Sequence, residues 1–305
     1  MNPLKRLYKA IVPETVRNRV WVAVRALPFA WRLTRQLFRY RLTHFRPWPG
    51  RTILCYPERP RIIAFGLRKI CLLNGYRVTT DPDSAFDIAV NWEDITWRNP
   101  DDVVRDISRR GRFLNAACLD ISKQHVQEVF RQVFGYSLAV DPLTYQGQCV
   151  EKSNVNFKHD GRVITCPVKD ISPEHVYQKL INNRHGEDAV EEIRVPVFGQ
   201  NIPFVCLKYR HIGDRFRNYY GSLLKRTGDI LSPQEVMLIR KFCECLKMDY
   251  GELDVLRDSD DGRLYIVDAN TTPSGPPRHL SAQDEWHAVR MMAETFEQEF
   301  INKKT

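Results

Sequence analysis

The stretch Asp249–Pro277, DYGELDVLRDSDDGRLYIVDANTTPSGPP, decides the reading of this 305-residue chain. In ELDVLR, Leu253 and Val255 point one way and Glu252, Asp254 and Leu256 the other. In RLYIVDAN, Tyr265, Val267 and Ala269 oppose Leu264, Ile266, Asp268 and Asn270. A period of two is the strand signature. DSDDG between them is a run of turn formers ending in Gly262, as a hairpin loop requires. Pairing Arg257 with Arg263 across that loop sets Glu252 opposite Asp268 and Asp254 opposite Ile266. All even-numbered residues then share one face, and a slip of one residue would separate them.

Carboxylates gathered on such a face repel one another unless a cation or protons intervene. A surface hairpin with solvated acids is the alternative, but the apolar content of both strands argues for burial. Magnesium takes a few protein oxygens and completes its shell with water and phosphate oxygens, so Asp254, Asp268 and Asn270 read as ligands of a magnesium–nucleotide site. DSDDG itself is a turn rather than a calcium loop, because the twelfth position from Asp258 is Ala269 and not a bidentate Glu.

An acid on one strand, a short turn, then acid-x-Asn on the next, followed by Thr271-Thr272-Pro273-Ser274-Gly275, resembles the ATP-grasp superfamily. The resemblance implies that Asp254, Asp268 and Asn270 hold the magnesium ions that bridge the ATP phosphates. The acid before the Asn is more often Glu in that family; here it is Asp268. Two upstream segments continue the match. Lys152 lies on a strand ahead of the loop Asn154–Gly161, where the family places a lysine on the ATP phosphates. The loop NVNFKHDG lacks the family's glycine-rich run, which leaves Lys158 or His159 to stand in for backbone amides. Gln178-Lys179-Leu180-Ile181 resembles the family's hinge, whose backbone bonds the adenine edge while apolar side chains sandwich the ring.

The remaining elements follow in order. Ile62–Leu73 reads as a helix closed by Asn74-Gly75, and Arg77–Thr80 and Asp87–Trp92 read as strands. Val103–Arg110 and Ile121–Phe134 read as helices, the second with Val126, Val129, Phe130 and Val133 on one face and Gly135 as its stop. Gln148–Ser153 and Arg162–Cys166 read as strands. Glu192–Phe198 and Ile202–Arg210 form a hairpin carrying Arg194, Lys208 and Arg210, of which at least one is expected to stabilise charge developing on transferred phosphate. Ser232-Pro-Gln-Glu235 is a capping box with Pro at the first helical position, and a last helix covers about 284–301. The segment 51–115 has neither GxGxxG nor a P-loop, so it carries no dinucleotide or P-loop fingerprint.

Composition bounds the rest. Apolar residues make up 43%, ordinary for a soluble protein, and no run of eighteen apolar residues suggests a membrane span. Val20–Leu33 is broken by Arg25, Pro28 and Arg32, so no signal peptide is expected. Eight cysteines are scattered without CxxC or zinc spacing, which reads as reduced thiols in a cytosolic protein. The net charge of +9 is concentrated in residues 1–48, which hold eleven Lys and Arg and one acid, Glu14. The rest of the chain is near neutral. The arm interleaves arginines with Trp21, Phe29, Trp31, Leu37 and Phe38, a pattern suited to an anionic membrane surface or to a helical arm packed on the body with its arginines facing water. Nucleic acid is not expected, since no helix-turn-helix, finger or RRM motif accompanies the charge.

The expected fold is mixed α/β and α+β: an ATP-grasp domain at 116–305, two subdomains clasping ATP with a hinge near 178–182. A small α/β domain at 51–115 and a basic helical arm at 1–48 precede it. The implied cofactors are ATP and Mg2+. The implied reaction is a ligase joining a carboxylate to an amine or thiol through an acyl phosphate. The expected substrate is a small molecule or an envelope precursor, which the basic arm would place at the inner face of the cytoplasmic membrane. A kinase acting on a sugar-like hydroxyl and a catalytically inactive nucleotide-binding scaffold are the alternatives.

Overall fold

The computed structural model describes residues 50–60, 65–158 and 160–302. The basic arm, the start of the first expected helix and His159 lie outside the described residues. The chain opens with β1 (Thr52–Pro57), α1 (Gly66–Asn74), β2 (Arg77–Thr79), β3 (Ile88–Trp92), α2 (Asp102–Arg110) and β4 (Phe113–Leu114). These four strands form a parallel sheet in the order β2-β1-β3-β4. Ile53, Leu54, Cys55, Ile88, Ala89 and Val90 are all sealed from solvent. Both faces are covered, as in parallel sheets generally, and the strands therefore read as short apolar runs. Their lack of alternation is why β1 gave no strand signal in the sequence. α1 packs with Ile53 and Val90 on one face, and α2 with Leu54 and Ala89 on the other.

Next come α3 (Lys123–Phe134), β5 (Gly147–Ser153), β6 (Arg162–Cys166) and β7 (His175–Lys179). The Ser122 hydroxyl caps α3, and Gly135 ends it in the left-handed region at φ 79°. β6-β5-β7 form an antiparallel sheet with β5 at its centre. After β8 (Arg184–His185) follow β9 (Ala189–Phe198), β10 (Val205–His211), β11 (Gly221–Lys225), α4 (Pro233–Leu246), β12 (Tyr250–Arg257), β13 (Leu264–Asn270) and α5 (Ala282–Phe296). The capping box of α4 forms as expected, and Arg257 of β12 grips the same Glu235 at 2.7 Å. The large sheet has the order β11-β10-β9-β12-β13, with β8 beside β9.

Alternation along β9 and β12 divides this sheet. Odd-numbered Ile193, Val195, Val197, Leu253 and Val255 join the core under α3 and α4. Even-numbered residues split. Phe198 and Tyr250 at one end enter a second core with α1, α5 and the parallel sheet. At the other end the same face carries Glu192, Arg194, Glu252 and Asp254.

The expected hairpin register is off by two residues. Glu252 pairs with Asn270 and Asp254 with Asp268, while Val255 pairs with Ile266. Val267 is the extra residue of a β-bulge. The turn is one residue longer on its second arm than assumed, with Arg257 opposite Leu264 instead of Arg263. Between Glu252–Asp254 and Asp268–Asn270 the shift of two preserves parity, so the polar face survives and its two aspartates become direct neighbours; on the turn side of the bulge the shift is one, and even-numbered Leu264 and Ile266 leave that face for the core with Leu253 and Val255. Asn115, buried at the end of β4, pins this strand: its Oδ1 accepts from the N–H of Asp249 and Tyr250, and its Nδ2 donates to the Tyr250 carbonyl. From α1, buried Lys69 donates to the Gly275 carbonyl at 2.9 Å. A side chain at 275 would run into Glu252, so the loop after β13 needs its glycine there.

Candidate active site

A cavity of about 430 Å³ opens between the three-stranded and six-stranded sheets. Lys152, Gln178–Ile181, Arg194, Arg210, Asp254, Asp268 and Asn270 all line it. Residues from Lys152 to Asn270 thus meet in one cleft. Lys208 is the exception among the sequence-predicted residues.

The acids come first. Asp254 and Asp268 face each other across β12 and β13. Like charges directly opposite destabilise a strand pair unless they are compensated. Arg194, opposite Asp254 on β9, does this for one of them: its Nε lies 2.6 Å from Asp254 Oδ1, and its Nη1 reaches Glu252 at 2.8 Å. Burial lifts the Asp254 carboxyl to about 6, with Arg194 opposing the rise and Glu192 adding to it. Asp268 is less well satisfied. Its Oδ1 is buried without a hydrogen-bond partner, and the nearest cation, Lys123 of α3, stands 3.7 Å away. Asn270 is held in an Asx turn, its Oδ1 accepting from the N–H and hydroxyl of Thr272.

These three fit a hard cation that shares its shell with phosphate oxygens. An unpartnered carboxylate oxygen beside a second carboxylate is an orphan that a cation would satisfy. Among the described residues no group of three His, Cys, Asp or Glu is placed to hold a metal unaided. Magnesium needs only a few protein ligands when phosphates supply the rest.

The cations divide into engaged and available. Lys208 is 2% exposed, and its ammonium pairs with Glu192 beneath the cavity. Arg210 pairs with the same Glu192 at 2.8 Å yet also lines the cavity. Burial pushes Glu192 up, but Lys208, Arg210 and Arg194 outweigh it and hold the carboxyl well below its usual range. Arg194 is wholly committed to acids. The cations free to meet a ligand are exposed Lys158, which the sequence offered, and one it did not reveal, half-buried Arg215 on the cavity wall; neither has a hydrogen bond or ion pair among the described residues, and the loop position of Arg215 hid it. Burial, with Arg184 nearby, lowers the Arg215 pKa. It sits in the irregular loop after β10, where no periodicity marks a facing side. Glu192 was also missed, although its parity with Arg194 signalled the shared face. Among the charged residues lining the cavity, seven Lys and Arg outnumber five acids, an excess suited to a polyanion.

Lys152 points from the central strand of the small sheet into the cleft, and its Nζ donates to the Val267 carbonyl at 3.0 Å. The acceptor is the bulge residue. Burial lowers its pKa to about 8, against the influence of Asp268. All four residues of the 178–181 segment line the cleft, with their side chains engaged in different ways. The Lys179 ammonium turns away to buried Asp258 at 2.7 Å, and Ile181 belongs to the main core. Gln178 donates to Gln127 of α3. Val150, Leu180, Val190, Leu256 and Val267 give this end of the cavity an apolar wall. Such a wall can take a flat ring while polar groups at the other end hold a charged tail. Opposite it, Gly161 of the β5–β6 loop sits so close to Phe216 that a Cβ there would fall 2.8 Å from the ring. The two loops meet at the rim.

The pKa of Lys152 carries a pH dependence. An unfolded lysine keeps its proton to about 10.5, whereas Lys152 loses it near 8. Between these values the unfolded chain binds more protons, so stability of the free protein rises with pH. Attraction of the ammonium for a phosphate falls over the same window. Nucleotide affinity is therefore expected to decline above pH 8, approaching about tenfold per pH unit. Calorimetric titrations between pH 7 and 9 measure this, and Lys152→Met is expected to flatten the profile.

No family model matches the chain, and no curated protein matches it. Solved structures do. The chain is similar to the ATP-grasp ligase PsnB complexed with minimal precursor, Mg and ADP, at 11% identity and a TM-score of 0.51, over 80% of this chain and 96% of that one. It is similar to D-alanine–D-alanine ligase from Bacillus anthracis at 15% identity and a TM-score of 0.50, over 82% of this chain and 96% of that one. The chain has the ATP-grasp fold.

Proposed function

We infer that this ATP-grasp chain is an ATP- and magnesium-dependent ligase that joins a carboxylate to an amine or thiol through an acyl phosphate. The observation that carries this reading is the single cleft in which Lys152, the 178–181 segment and the Asp254–Asp268–Asn270 face converge. Asp254, Asp268 and Asn270 would hold magnesium, which neutralises phosphate charge and orients the γ-phosphate. Lys152 would bind the phosphates, and Arg210 and Arg215 would stabilise charge that develops on the transferred group. Arg194 and Lys208 instead position the acids and the base of the site. Similarity to structures described as ligases supports the choice of ligase over kinase.

Product analysis tests it. Incubation with ATP, magnesium and a panel of carboxylates, with hydroxylamine as trapping amine, is expected to give ADP, inorganic phosphate and a hydroxamate. ADP with a phosphorylated hydroxyl and no free phosphate would make the protein a kinase and overturn the proposal.

The basic segment 1–48 would attach the enzyme to an anionic membrane surface, each Lys or Arg near it contributing about 1 kcal/mol. The charge and interleaved aromatics support this; no helix of the described residues is long and apolar enough to cross a membrane. The full chain is expected to pellet with phosphatidylserine-containing vesicles and a chain beginning at Pro49 to stay in the supernatant. Equal pelleting of both removes the arm from membrane attachment.

A further inference from the structure

Asn270 can serve a magnesium ion only through a lone pair of Oδ1 that no proton occupies. An amide carbonyl oxygen has two lone pairs. The Asx turn commits one of them, because the Thr272 N–H donates to Oδ1 at 2.8 Å. The Thr272 hydroxyl stands 3.2 Å from the same oxygen, and a proton donated there would take the other. Where that hydroxyl points therefore decides whether Asn270 is open to a cation.

A second acceptor competes for the proton. Asp94 follows β3 by two residues, and its Oδ1 lies 2.9 Å from Thr272 Oγ1. A hydroxyl carries one proton and cannot donate to both oxygens. The carboxylate is the nearer, and a charged acceptor makes a bond roughly twice as strong as a neutral one. Thr272 itself is buried. With its proton on the Asp94 side, Asn270 keeps the second lone pair. Asp94 is not among the described residues that line the cleft, so its influence on the metal face passes through Thr272.

The segment after β13 does not need Asp94 to hold it. Arg98 donates to the Thr271 hydroxyl at 2.5 Å, the Gly66 N–H to the Pro273 carbonyl at 3.0 Å, and Lys69 to the Gly275 carbonyl at 2.9 Å. Of these contacts from the parallel-sheet half of the chain, that of Asp94 engages the hydroxyl that also reaches Asn270. We propose that Asp94 is a positioning residue for the metal: by accepting the Thr272 proton it keeps the Asn270 side-chain oxygen free to coordinate magnesium. This rests on the magnesium–ATP reading of the cleft and adds to it a residue from outside the two sheets that enclose the nucleotide.

Calorimetric titration of the full chain with ATP, once with magnesium and once with a chelator, gives the factor by which magnesium strengthens binding. Asp94→Leu keeps the branched shape, cannot accept a proton and leaves no room for a water in place of the carboxylate. Asp94 is exposed, so the variant is expected to fold, with a melting temperature within about 2 °C of wild type. It is expected to lower the magnesium factor about tenfold and to leave the affinity in chelator unchanged. Adding Thr272→Val removes the competing proton but keeps the side-chain shape and the backbone N–H. The double variant is therefore expected to recover the wild-type factor within about threefold. A carboxylate that only held the loop, or acted only through its charge, would give no such recovery. A double variant no better than Asp94→Leu, or a full magnesium effect in Asp94→Leu, overturns the proposal alone. A wild type without any magnesium effect overturns the reading of the cleft and the proposal with it.

Discussion

Replacing Asp268 with asparagine is expected to reduce magnesium-dependent ATP affinity by at least about 100-fold, about 2.7 kcal/mol, while leaving the free protein folded. The reasoning is local. Asp268 has a buried oxygen without a hydrogen-bond partner, and Lys123 at 3.7 Å is too far to bond it. Its carboxylate also faces Asp254 directly across the strand pair. Removing one of two opposed negative charges relieves repulsion, so the melting temperature of the metal-free variant is expected to hold or rise. A residue kept for structure would show the opposite pattern. Asn270→Ala is expected to act in the same direction, because the Asx turn with Thr272 that fixes its oxygen is lost with it. Calorimetric titration with ATP in the presence and absence of magnesium measures both variants. Equal affinity in wild type and Asp268→Asn would remove the aspartate from the metal.

Replacing Glu192 with glutamine is expected to produce the largest loss of stability of any single change in the cleft. Glu192 is 8% exposed and pairs with two cations, Lys208 and Arg210. Lys208 is 2% exposed and could not reach water once its partner was neutral. Breaking a buried ion pair from one side costs about 3–5 kcal/mol, and the other acid near Lys208, Asp254 at 3.9 Å, is already held by Arg194 at 2.6 Å. For a chain of this size that cost corresponds to a fall in melting temperature of roughly 6–20 °C. Adding Lys208→Met to Glu192→Gln is expected to restore much of the loss, since the buried charge leaves with its partner. A double-mutant cycle by thermal denaturation reads this directly. Additive effects of the two changes would mean that the pair is not coupled and that the floor of the cleft is held some other way.

The two expectations rest on different layers of the same face, and the sequence disclosed them unequally. The even-numbered polar residues of the hairpin were legible because alternation survives any error of two in register. The register itself was not, since a bulge at Val267 breaks the count and no residue there announces it. Lys152 was singled out only by the family resemblance, as the lysine on a strand ahead of a loop. Arg194, Lys208 and Arg210 were found as cations on strands, but their pairing was invisible. Which of them meets acids and which meets ligand depends on the lateral order β10-β9-β12, fixed only when strands far apart in the chain align. Lys123 and Arg215 were missed for a related reason. One begins a helix and the other sits in a loop, and each reaches the cleft only through tertiary packing. The capping box at Ser232 and Glu235 and the helix stops at Gly75 and Gly135 needed no such context, because a cap is decided within four or five residues.

The central claim is that the cleft between the small and large sheets is a magnesium–ATP site. Titration calorimetry of the full chain with ATP, run with magnesium and again with a chelator, tests it most directly. The account predicts one ATP per chain, with affinity that falls by at least about tenfold when magnesium is removed. Nucleotide binding of equal strength with and without magnesium, or no binding of ATP in either condition, would contradict it.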